Sequence, residues 1–270
     1  MHLKNELFSD QKLIFADGIA GGGKVLISNL LAGLPKIEQW VADPVTEQIC
    51  ALVKLKKINM ETAIYLLRNN YNRFFYDSVL LRNLNFRRSD KSSILNHPRY
   101  KNFKNRLKTN DKSVYKVFKN NVINHFLTHF VSNCSEPIFK AFKNKLLFIR
   151  MFRSPLNVSM IKHLAKWSIK WENMKSRDGI LKAYDNRYKK NYPFFVKSNL
   201  KDYLAANIYE RAVIILELTI QKKINLERLG KKYGSRVITI PFENLIVNPN
   251  YYIKQISNIL GIKKDNITSK

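Results

Sequence analysis

Cysteine is scarce in this chain, and so are acidic residues and long apolar runs. The only two cysteines, Cys50 and Cys134, have a spacing that fits neither a metal site nor a disulfide framework. No apolar run reaches the length needed to span a bilayer. The N-terminal stretch MHLKNELFSDQK is polar and charged, unlike a secretory signal. These absences predict a soluble, cytoplasmic protein.

The shortage of acidic residues leaves a large positive charge. Lysine and arginine together number 48 against 20 aspartates and glutamates, which gives a formal net charge of +28. Such an excess favours polyanionic partners, namely a nucleotide, a nucleic acid, an acidic glycan or an anionic membrane surface. Because the basic residues are spread along the whole chain, a biased coding composition explains them equally well. The charge alone therefore assigns no function.

Short apolar runs alternate with amphipathic stretches along the 270 residues. Strands are predicted at residues 12–16, 125–131 and 145–152, and from 236 into a loop at 245. Other segments are predicted as a long helix over 203–234 and as loops with short helices over 172–202. The alternation predicts a single α/β domain with a central parallel sheet of about four to five strands flanked by helices. Its core is expected over residues 12–262, with a loose tail at 263–270.

The segment LIFADGIAGGGKVLISNLLAG, residues 13–33, joins a predicted strand to a predicted helix through a glycine-rich turn. Four of the nine glycines of the chain lie in that turn: Gly18, Gly21, Gly22 and Gly23. The spacing from Gly18 to Lys24 fits G-x-x-x-x-G-K, a pattern in which loop amides and a helix N-terminus cradle phosphate. Val25 stands where that pattern has the Ser or Thr that holds magnesium. The segment predicts a phosphate site without the metal-binding hydroxyl.

Ligands of parallel sheets gather at the carboxyl ends of the strands. This rule collects residues 17–25, His129, Arg153 and Glu243 at one edge. His129 is a candidate general base because an imidazole with a pKa near neutrality can deprotonate an acceptor hydroxyl. A histidine satisfied within the core is the alternative interpretation. Weaker candidates for the base are His97, His163 and Glu243, of which Glu243 is interpreted as structural.

Three segments together resemble the sulfotransferase family. They are the strand, loop and helix at 13–33, LLFIRMFRSPLNVS at 146–159 and VITIPFENLIVNPNYYIKQISNILGI at 237–262. The second is similar to a family strand that ends in an R-N/D-P motif, and the third to the family's C-terminal strand and its following L-G-I pattern. The three segments occur in the order of the family and bracket most of the chain.

The resemblance implies transfer of a sulfuryl group from 3′-phosphoadenosine-5′-phosphosulfate (PAPS) to a hydroxyl or amine acceptor, without a metal ion. The residues implied for the 5′-phosphosulfate are Gly18, Gly21, Gly22, Gly23, Lys24 and Val25. Those implied for the 3′-phosphate are Arg153 and Ser159, since Ile161 stands where the family has its serine. The family's loop cation falls at Gly21, and we therefore expect Lys24 to supply that charge, with His129 as the base.

The segment NFRRSDKSS is similar to a segment of some bacterial relatives. The resemblance implies a contact with the substrate or the nucleotide for four of its residues: Arg87, Arg88, Asp90 and Ser93. An ordinary solvated loop is the alternative. The acceptor itself stays open among glycan, lipid, peptide and small metabolite, and the sequence says nothing of the oligomeric state.

Other classes of function compete with the sulfotransferase. A P-loop kinase or NTPase would use ATP and magnesium at the same loop, although Val25 lacks the oxygen that such a metal needs. A basic module for nucleic acid or a membrane surface would account for the charge. The departures from the family pattern also leave an inactive relative open.

Overall fold

Parallel strands form the centre of the computed structural model, which describes residues 3–119, 121–172, 180–220 and 222–262. The strands are β1 (Leu13–Asp17), β2 (Val41–Ala42), β3 (His125–Leu127), β4 (Leu146–Phe152), β5 (Lys182–Asp185), β6 (Lys190–Pro193) and β7 (Arg236–Pro241). Five of them pair in the order β2-β3-β1-β4-β7, with every neighbour parallel, while β5 and β6 form a separate antiparallel hairpin. The prediction of an α/β fold with a parallel sheet is confirmed.

Helices flank the sheet and continue beyond its carboxyl edge. They are α1 (Lys24–Ala32), α2 (Pro44–Lys54), α3 (Met60–Val79), α4 (Tyr100–Leu107), α5 (Asp111–Phe118), α6 (Glu136–Phe142), α7 (Val158–Glu172), α8 (Leu200–Ala205), α9 (Ile208–Ile220), α10 (Lys223–Tyr233), α11 (Phe242–Val247) and α12 (Pro249–Leu260). Within the described residues, no helix combines the length and the apolar character that crossing a membrane requires.

The alternating side chains of the central strands divide the core into two faces. Leu13 and Phe15 of β1 pack with α3 and α6 on one face, while Ile14 packs with α1 and α12 on the other. Each of the five residues of β1 is buried, as expected for a strand covered on both faces. This double cover explains why β1 and β4 appear in the sequence as short continuous apolar runs.

A third apolar cluster lies at the carboxyl end of the sheet. Ile19 and Phe130, from the loops after β1 and β3, pack there with α7, α8, α9 and the 3-10 segment at 194–199. Phe130 stacks on Phe195 with ring centroids 4.1 Å apart. The cluster fixes α7 beside the loops that end the central strands.

The connections from β1 and β4 leave in opposite directions across the sheet. The chain passes from β1 through α1 to β2 on one side, and from β4 through α7 to β7 on the other. Since β1 and β4 are neighbours, their carboxyl ends border the crevice in which open α/β sheets bind ligands.

The prediction of one continuous helix over 203–234 is wrong. Helix α8 ends at Ala205, and α9 starts after a capping box in which Asn207 Oδ1 accepts from the amides of Tyr209 and Glu210. Glu210 in turn accepts from the Asn207 amide at 2.8 Å. This reciprocal pair satisfies the first-turn donors, so the cap starts a new helix although the apolar period continues across it.

Three other segments also differ from expectation. The stretch predicted as loops and short helices over 172–202 contains the β5–β6 hairpin, with residues 173–179 outside the described part of the chain. The chain after β7 is helical as α11 rather than a loop. The strand predicted over 125–131 ends at Leu127, and the predicted tail at 263–270 lies outside the described residues.

Candidate functional site

The glycine loop after β1 is shaped by two close approaches that leave no room for a side chain. A Cβ atom on Gly18 would lie 2.6 Å from the carbonyl oxygen of Met151 on β4. Gly23 caps α1 with φ 94°, and a Cβ there would lie 2.4 Å from Cδ2 of Phe242. The loop therefore needs glycine at both ends, and it leads into a helix N-terminus without a side-chain cap, an arrangement suited to anions.

Lys24 is the first residue of α1, and its side chain is buried beneath the loop. Its ammonium donates to the carbonyl oxygens of Gly18 and Ile19. Burial lowers the pKa of Lys24 to about 8, against the opposing influence of Asp17 and Glu47. The lysine thus places a cation in a desolvated position, where its interaction with an anion is stronger than at the surface.

Asp17 ends β1 and anchors the neighbouring loop after β3. Its carboxylate accepts from the Thr128 hydroxyl at 3.0 Å, from the amide of Val131 at 3.2 Å, and from the amide and hydroxyl of Ser132. All of the Asp17 side chain is buried, so these donors replace its hydration. The contacts hold residues 128–132 rigidly beside the glycine loop.

His129 lies within this anchored loop, and Glu47 of α2 holds it from below. The Glu47 Oε1 atom accepts from the His129 amide at 2.5 Å and lies 3.3 Å from His129 Nδ1. Burial, assisted by Lys24, holds the pKa of His129 well below its usual range. The ring is therefore neutral at neutral pH, and it is a weaker base than the near-neutral imidazole expected from the sequence. Burial and the neighbouring Asp17 raise the pKa of Glu47 well above its usual range. A hydrogen on Nδ1 leaves the Nε2 lone pair available as a proton acceptor.

Arg153 follows β4 and reaches back to the glycine loop. Its Nη1 donates to the Gly21 carbonyl at 3.0 Å, and its guanidinium lies over the Phe242 ring at 4.5 Å from the centroid. The Nε atom of Arg153 is buried and has no hydrogen-bond partner among the described residues. The two loops implied for the two ends of a nucleotide donor are thus in direct contact.

A short turn over residues 154–157 joins Arg153 to the N-terminus of α7 at Val158. Asn157 Oδ1 accepts from the amide of Met160 at 3.1 Å, and Glu243 Oε1 accepts from the Ser154 amide at 3.1 Å. Ser159 is exposed in the first turn of α7, while Ile161 packs against the third apolar cluster. Glu243 therefore supports the loop after β4 and does not line the cleft described below.

A cleft of about 630 Å³ opens above the glycine loop. Fourteen residues line it: Ile19, Ala20, Gly21, Gly22, Gly23, Lys24, Val25, Leu26, Asn29, Lys91, Leu127, His129, His163 and Trp167. The sequence-based candidates of the first loop and His129 thus meet in one cavity, with the exception of Gly18, which lies below it. Arg153 contacts the glycine loop at Gly21 but does not line the cleft.

Three sulfotransferase domains of known structure are similar to this chain. One belongs to the olefin synthase of Synechococcus PCC 7002, with 12% identity, a TM-score of 0.40, and 99% of this chain aligned to 82% of that one. One comes from the curacin biosynthetic pathway, with 12% identity, a TM-score of 0.43 and coverage of 96% and 77%. The third, a sulfotransferase from Alicyclobacillus acidocaldarius, has 14% identity, a TM-score of 0.42 and coverage of 96% and 86%. No family model and no curated protein matches the chain.

The four residues predicted from NFRRSDKSS are not among the cleft's lining residues. Asp90 accepts from Asn85 at 3.0 Å and pairs with Arg87 at 3.7 Å, while the buried Ser93 caps the following 3-10 turn. Arg88 is exposed. These contacts shape the loop itself, and the loop reaches the cleft through the residue between them, Lys91.

Sequence reasoning missed several residues around this cleft. Asn29, Lys91 and Trp167 line it, and Glu47 supports it from below. Lys91 lay within the loop already singled out, and Trp167 lies one helical turn from His163. His97, a weaker candidate for the base, is buried against Phe103 away from the cleft, with a pKa lowered by burial to about 3. Among the described residues, no cluster of histidine, cysteine and acidic side chains suits a metal ion.

Proposed function

We propose that this chain is a sulfotransferase that moves a sulfuryl group from PAPS to a hydroxyl or amine of an acceptor. The observation that carries the proposal is the meeting of the two loops at the crevice between β1 and β4. There Arg153 Nη1 contacts the Gly21 carbonyl at 3.0 Å, and Lys24 lies buried under the same loop. A donor with phosphate at one end and phosphosulfate at the other needs cations at two adjacent positions.

The residues present fit such a donor. Gly23 has φ 94° and packs against Phe242, so glycine is needed for the turn that opens the N-terminus of α1, where backbone amides bind anions. The buried Nε of Arg153 lacks a partner among the described residues, and a 3′-phosphate would satisfy it. Ser159, exposed one turn into α7, is the candidate hydroxyl for the same phosphate. The 5′-phosphosulfate would meet the loop amides and Lys24.

The chemistry follows from these positions. The bond from sulfur to the acceptor oxygen or nitrogen forms while the bond from sulfur to the bridging phosphate oxygen breaks. The acceptor proton passes to His129 Nε2, whose Nδ1 faces Glu47 at 3.3 Å. Lys24 and the loop amides neutralise the negative charge that develops on the leaving phosphate. Catalysis of this kind comes mainly from positioning and electrostatics, as in phosphoryl transfer.

The site favours a donor that needs no magnesium over ATP. Val25 has no oxygen to offer at the place of the P-loop hydroxyl. The strands on either side of β1 end in Leu127 and Phe152, without an aspartate, and the Asp17 carboxylate already accepts four hydrogen bonds. A kinase would need at least one of these groups to hold the metal.

Calorimetry with adenosine 3′,5′-bisphosphate, the product left by PAPS, tests the proposal. The protein is titrated once with the bisphosphate in a chelator and once with ATP and magnesium. We expect micromolar binding of the bisphosphate without metal. Binding of ATP alone, and only with magnesium, would support the kinase instead. If neither ligand binds, the proposal is contradicted. In that case, DNA binding with a steep salt dependence would favour a basic binding module.

A further inference from the structure

Helices α4 and α5 carry an uneven share of the positive charge of the chain. Residues 99–119 contain eight lysines and arginines but a single acidic residue, Asp111. Asp111 pairs with a cation from outside this segment, because its Oδ2 lies 2.5 Å from Arg82 Nη2. The excess of cations is therefore concentrated on these two helices beyond the average of the chain, which favours a polyanionic partner there.

Six exposed lysines of this segment form no ion pair with a described carboxylate: Lys101, Lys104, Lys108, Lys112, Lys116 and Lys119. Exposed lysines elsewhere do form such pairs, as Lys4 does with Glu6 at 3.3 Å and Lys232 does with Glu136 at 3.1 Å. The spacings of three and four residues place three of the six on one face of α4 and its C-terminal end, and three on one face of α5 and its C-terminal end. Neighbours in each row are about one helical turn apart, about 5.4 Å along the axis.

A groove of about 440 Å³ runs beside α4. Its lining combines the apolar side chains of Phe103, Phe118 and Val122 with the exposed amides of Asn102 and Asn105. Each amide offers a hydrogen-bond acceptor and two donors. Such a lining can contact the face of a flat heteroaromatic ring through its apolar part and the polar edge of the ring through its amides.

The charges of the groove leave room for an anion beside it. Its carboxylate, that of Glu38, is buried and accepts from Arg106 Nη1 at 3.2 Å and from Arg106 Nη2 at 2.7 Å. Lys36 is exposed and Arg99 is half-buried at the groove, and neither forms an ion pair with a described carboxylate. An anion at the groove therefore meets two cations and a carboxylate that Arg106 already neutralises.

This groove is separate from the cleft above the glycine loop. Residues 36–38 and 121–122 lead into β2 and β3, so the groove lies at the amino ends of these strands, whereas the cleft lies at the carboxyl ends. No described residue lines both. A ligand of the groove can therefore bind without displacing a nucleotide from the cleft.

We propose that the groove and the lysines of α4 and α5 form a binding surface for single-stranded nucleic acid. A base enters the groove, and the phosphates of the strand follow the lysines. A duplex keeps its bases paired and stacked, and an acidic glycan would leave the apolar part of the groove unfilled. A membrane surface needs an apolar helix face, but Leu107 is the one large apolar side chain that is exposed on the described part of α4 and α5.

Fluorescence anisotropy with two labelled probes of about 12 nucleotides tests the proposal. One probe is an oligothymidylate and the other is an abasic deoxyribose-phosphate chain with the same number of phosphates. Both are titrated over a range of salt concentrations, with and without saturating adenosine 3′,5′-bisphosphate, and thermal unfolding checks that the variants fold. Two triple variants with equal loss of charge from one-turn rows of exposed lysines are compared with the wild type: Lys101→Gln/Lys104→Gln/Lys108→Gln on α4 and Lys162→Gln/Lys166→Gln/Lys170→Gln on α7.

We expect the oligothymidylate to bind at least about fivefold more tightly than the abasic chain, because its bases stack in the groove. The α4 variant binds the oligothymidylate about tenfold more weakly at about 100 mM salt. Its slope of log affinity against log salt concentration is smaller by about 2, since each phosphate contact of a single strand contributes about 0.7. The α7 variant stays within about twofold of the wild type, and the bisphosphate leaves the oligothymidylate bound.

Equal binding of the two probes, an equal loss in the two variants, or no binding of the oligothymidylate at low salt would overturn the proposal. Displacement of the oligothymidylate by the bisphosphate would assign it to the cleft and would also overturn the proposal. Vesicles that contain phosphatidylserine provide a further comparison, and a loss of vesicle binding in the α4 variant without a loss of oligothymidylate binding would favour a membrane partner instead. Failure of the bisphosphate to bind would count against the proposed function alone, since the comparison of probes and variants does not use it.

Discussion

The loop after β1 and the loop after β4 meet at one crevice but are built in different ways. The first loop is backbone shaped by glycine, with Lys24 buried beneath it at 5% exposure. The second depends on a side chain, Arg153, which spans the gap to Gly21 and lies over Phe242. The loop after β1 thus presents a backbone surface closed by tight packing, whereas the loop after β4 contributes one long side chain at the edge of that surface.

A substitution in the loop after β1 should have a larger effect than one in the loop after β4. A charge in a desolvated site interacts more strongly with an anion, and a backbone fitted to within 3 Å of its neighbours cannot accept a side chain. A half-exposed guanidinium is partly screened by water and is replaced at lower cost.

Lys24→Ala should produce the largest effect. Removing the buried cation should weaken binding of adenosine bisphosphate by about 100-fold or more, the scale of losing a preorganised charge contact in a closed site. Calorimetry measures the affinity, and thermal unfolding checks that the variant folds. Lys36→Ala, which removes an exposed lysine, is the control and should bind as the wild type does. Similar affinities for the wild type and both variants would show that Lys24 does not contribute to nucleotide binding.

Gly23→Ala should destabilise the protein by about 2 kcal/mol, the scale of a strained backbone conformation with φ near 94° and a clash with Phe242. Urea unfolding measures the change. Gly33→Ala is the matched control at the other end of α1, because its φ is −70° and the nearest atom to a Cβ, Leu30 O, is 3.4 Å away. Equal stability of the two variants would show that the loop tolerates side chains.

Arg153→Ala should weaken bisphosphate binding by about tenfold, the scale of one charge-assisted contact. The loss should be confined to the 3′-phosphate, so the variant should bind adenosine 5′-phosphate as well as the wild type does. Arg228→Ala, on the exposed face of α10, is the control. An equal loss for both nucleotides would assign Arg153 to the loop structure rather than to the 3′-phosphate.

Binding should also weaken with rising pH, by a few-fold over the first pH unit above about 8. Burial lowers the pKa of Lys24 to about 8 in the free protein, and a bound anion favours the protonated form. The affinity should therefore change little between about pH 7, above the second pKa of the ligand's phosphates, and about pH 8, and should fall as the pH rises further, with a proton taken up on binding. Calorimetry in buffers of different ionisation enthalpy measures that proton. An affinity independent of pH up to about 9.5 would contradict a role for the ammonium.

The glycine loop could be predicted from the sequence because its signal is local. A short apolar strand, a run of glycines and a helix follow one another within 13–33, and the structure has β1, the loop and α1 there. Arg153 was found in the same way, from the end of an apolar strand. The hydroxyl side chain Ser159 and the loop residues 87–93 depended on the resemblance alone.

The remaining cleft residues depend on tertiary packing and leave no local pattern. Glu47 faces His129 only because α2 packs below the loop after β3, 82 positions away in sequence. Trp167 and Lys91 meet across the cleft because α7 and the loop after α3 converge there. The break at Asn207 was missed for the opposite reason, since a local capping box outweighed an uninterrupted apolar period.

A crystal structure of the complex with adenosine 3′,5′-bisphosphate, grown in a chelator, would locate both phosphates. We expect the 5′-phosphate within hydrogen-bonding distance of the amides of the glycine loop and of Lys24 Nζ, and the 3′-phosphate at the Arg153 guanidinium. A nucleotide bound outside the crevice between β1 and β4, or with its phosphates away from both loops, would contradict the proposed function.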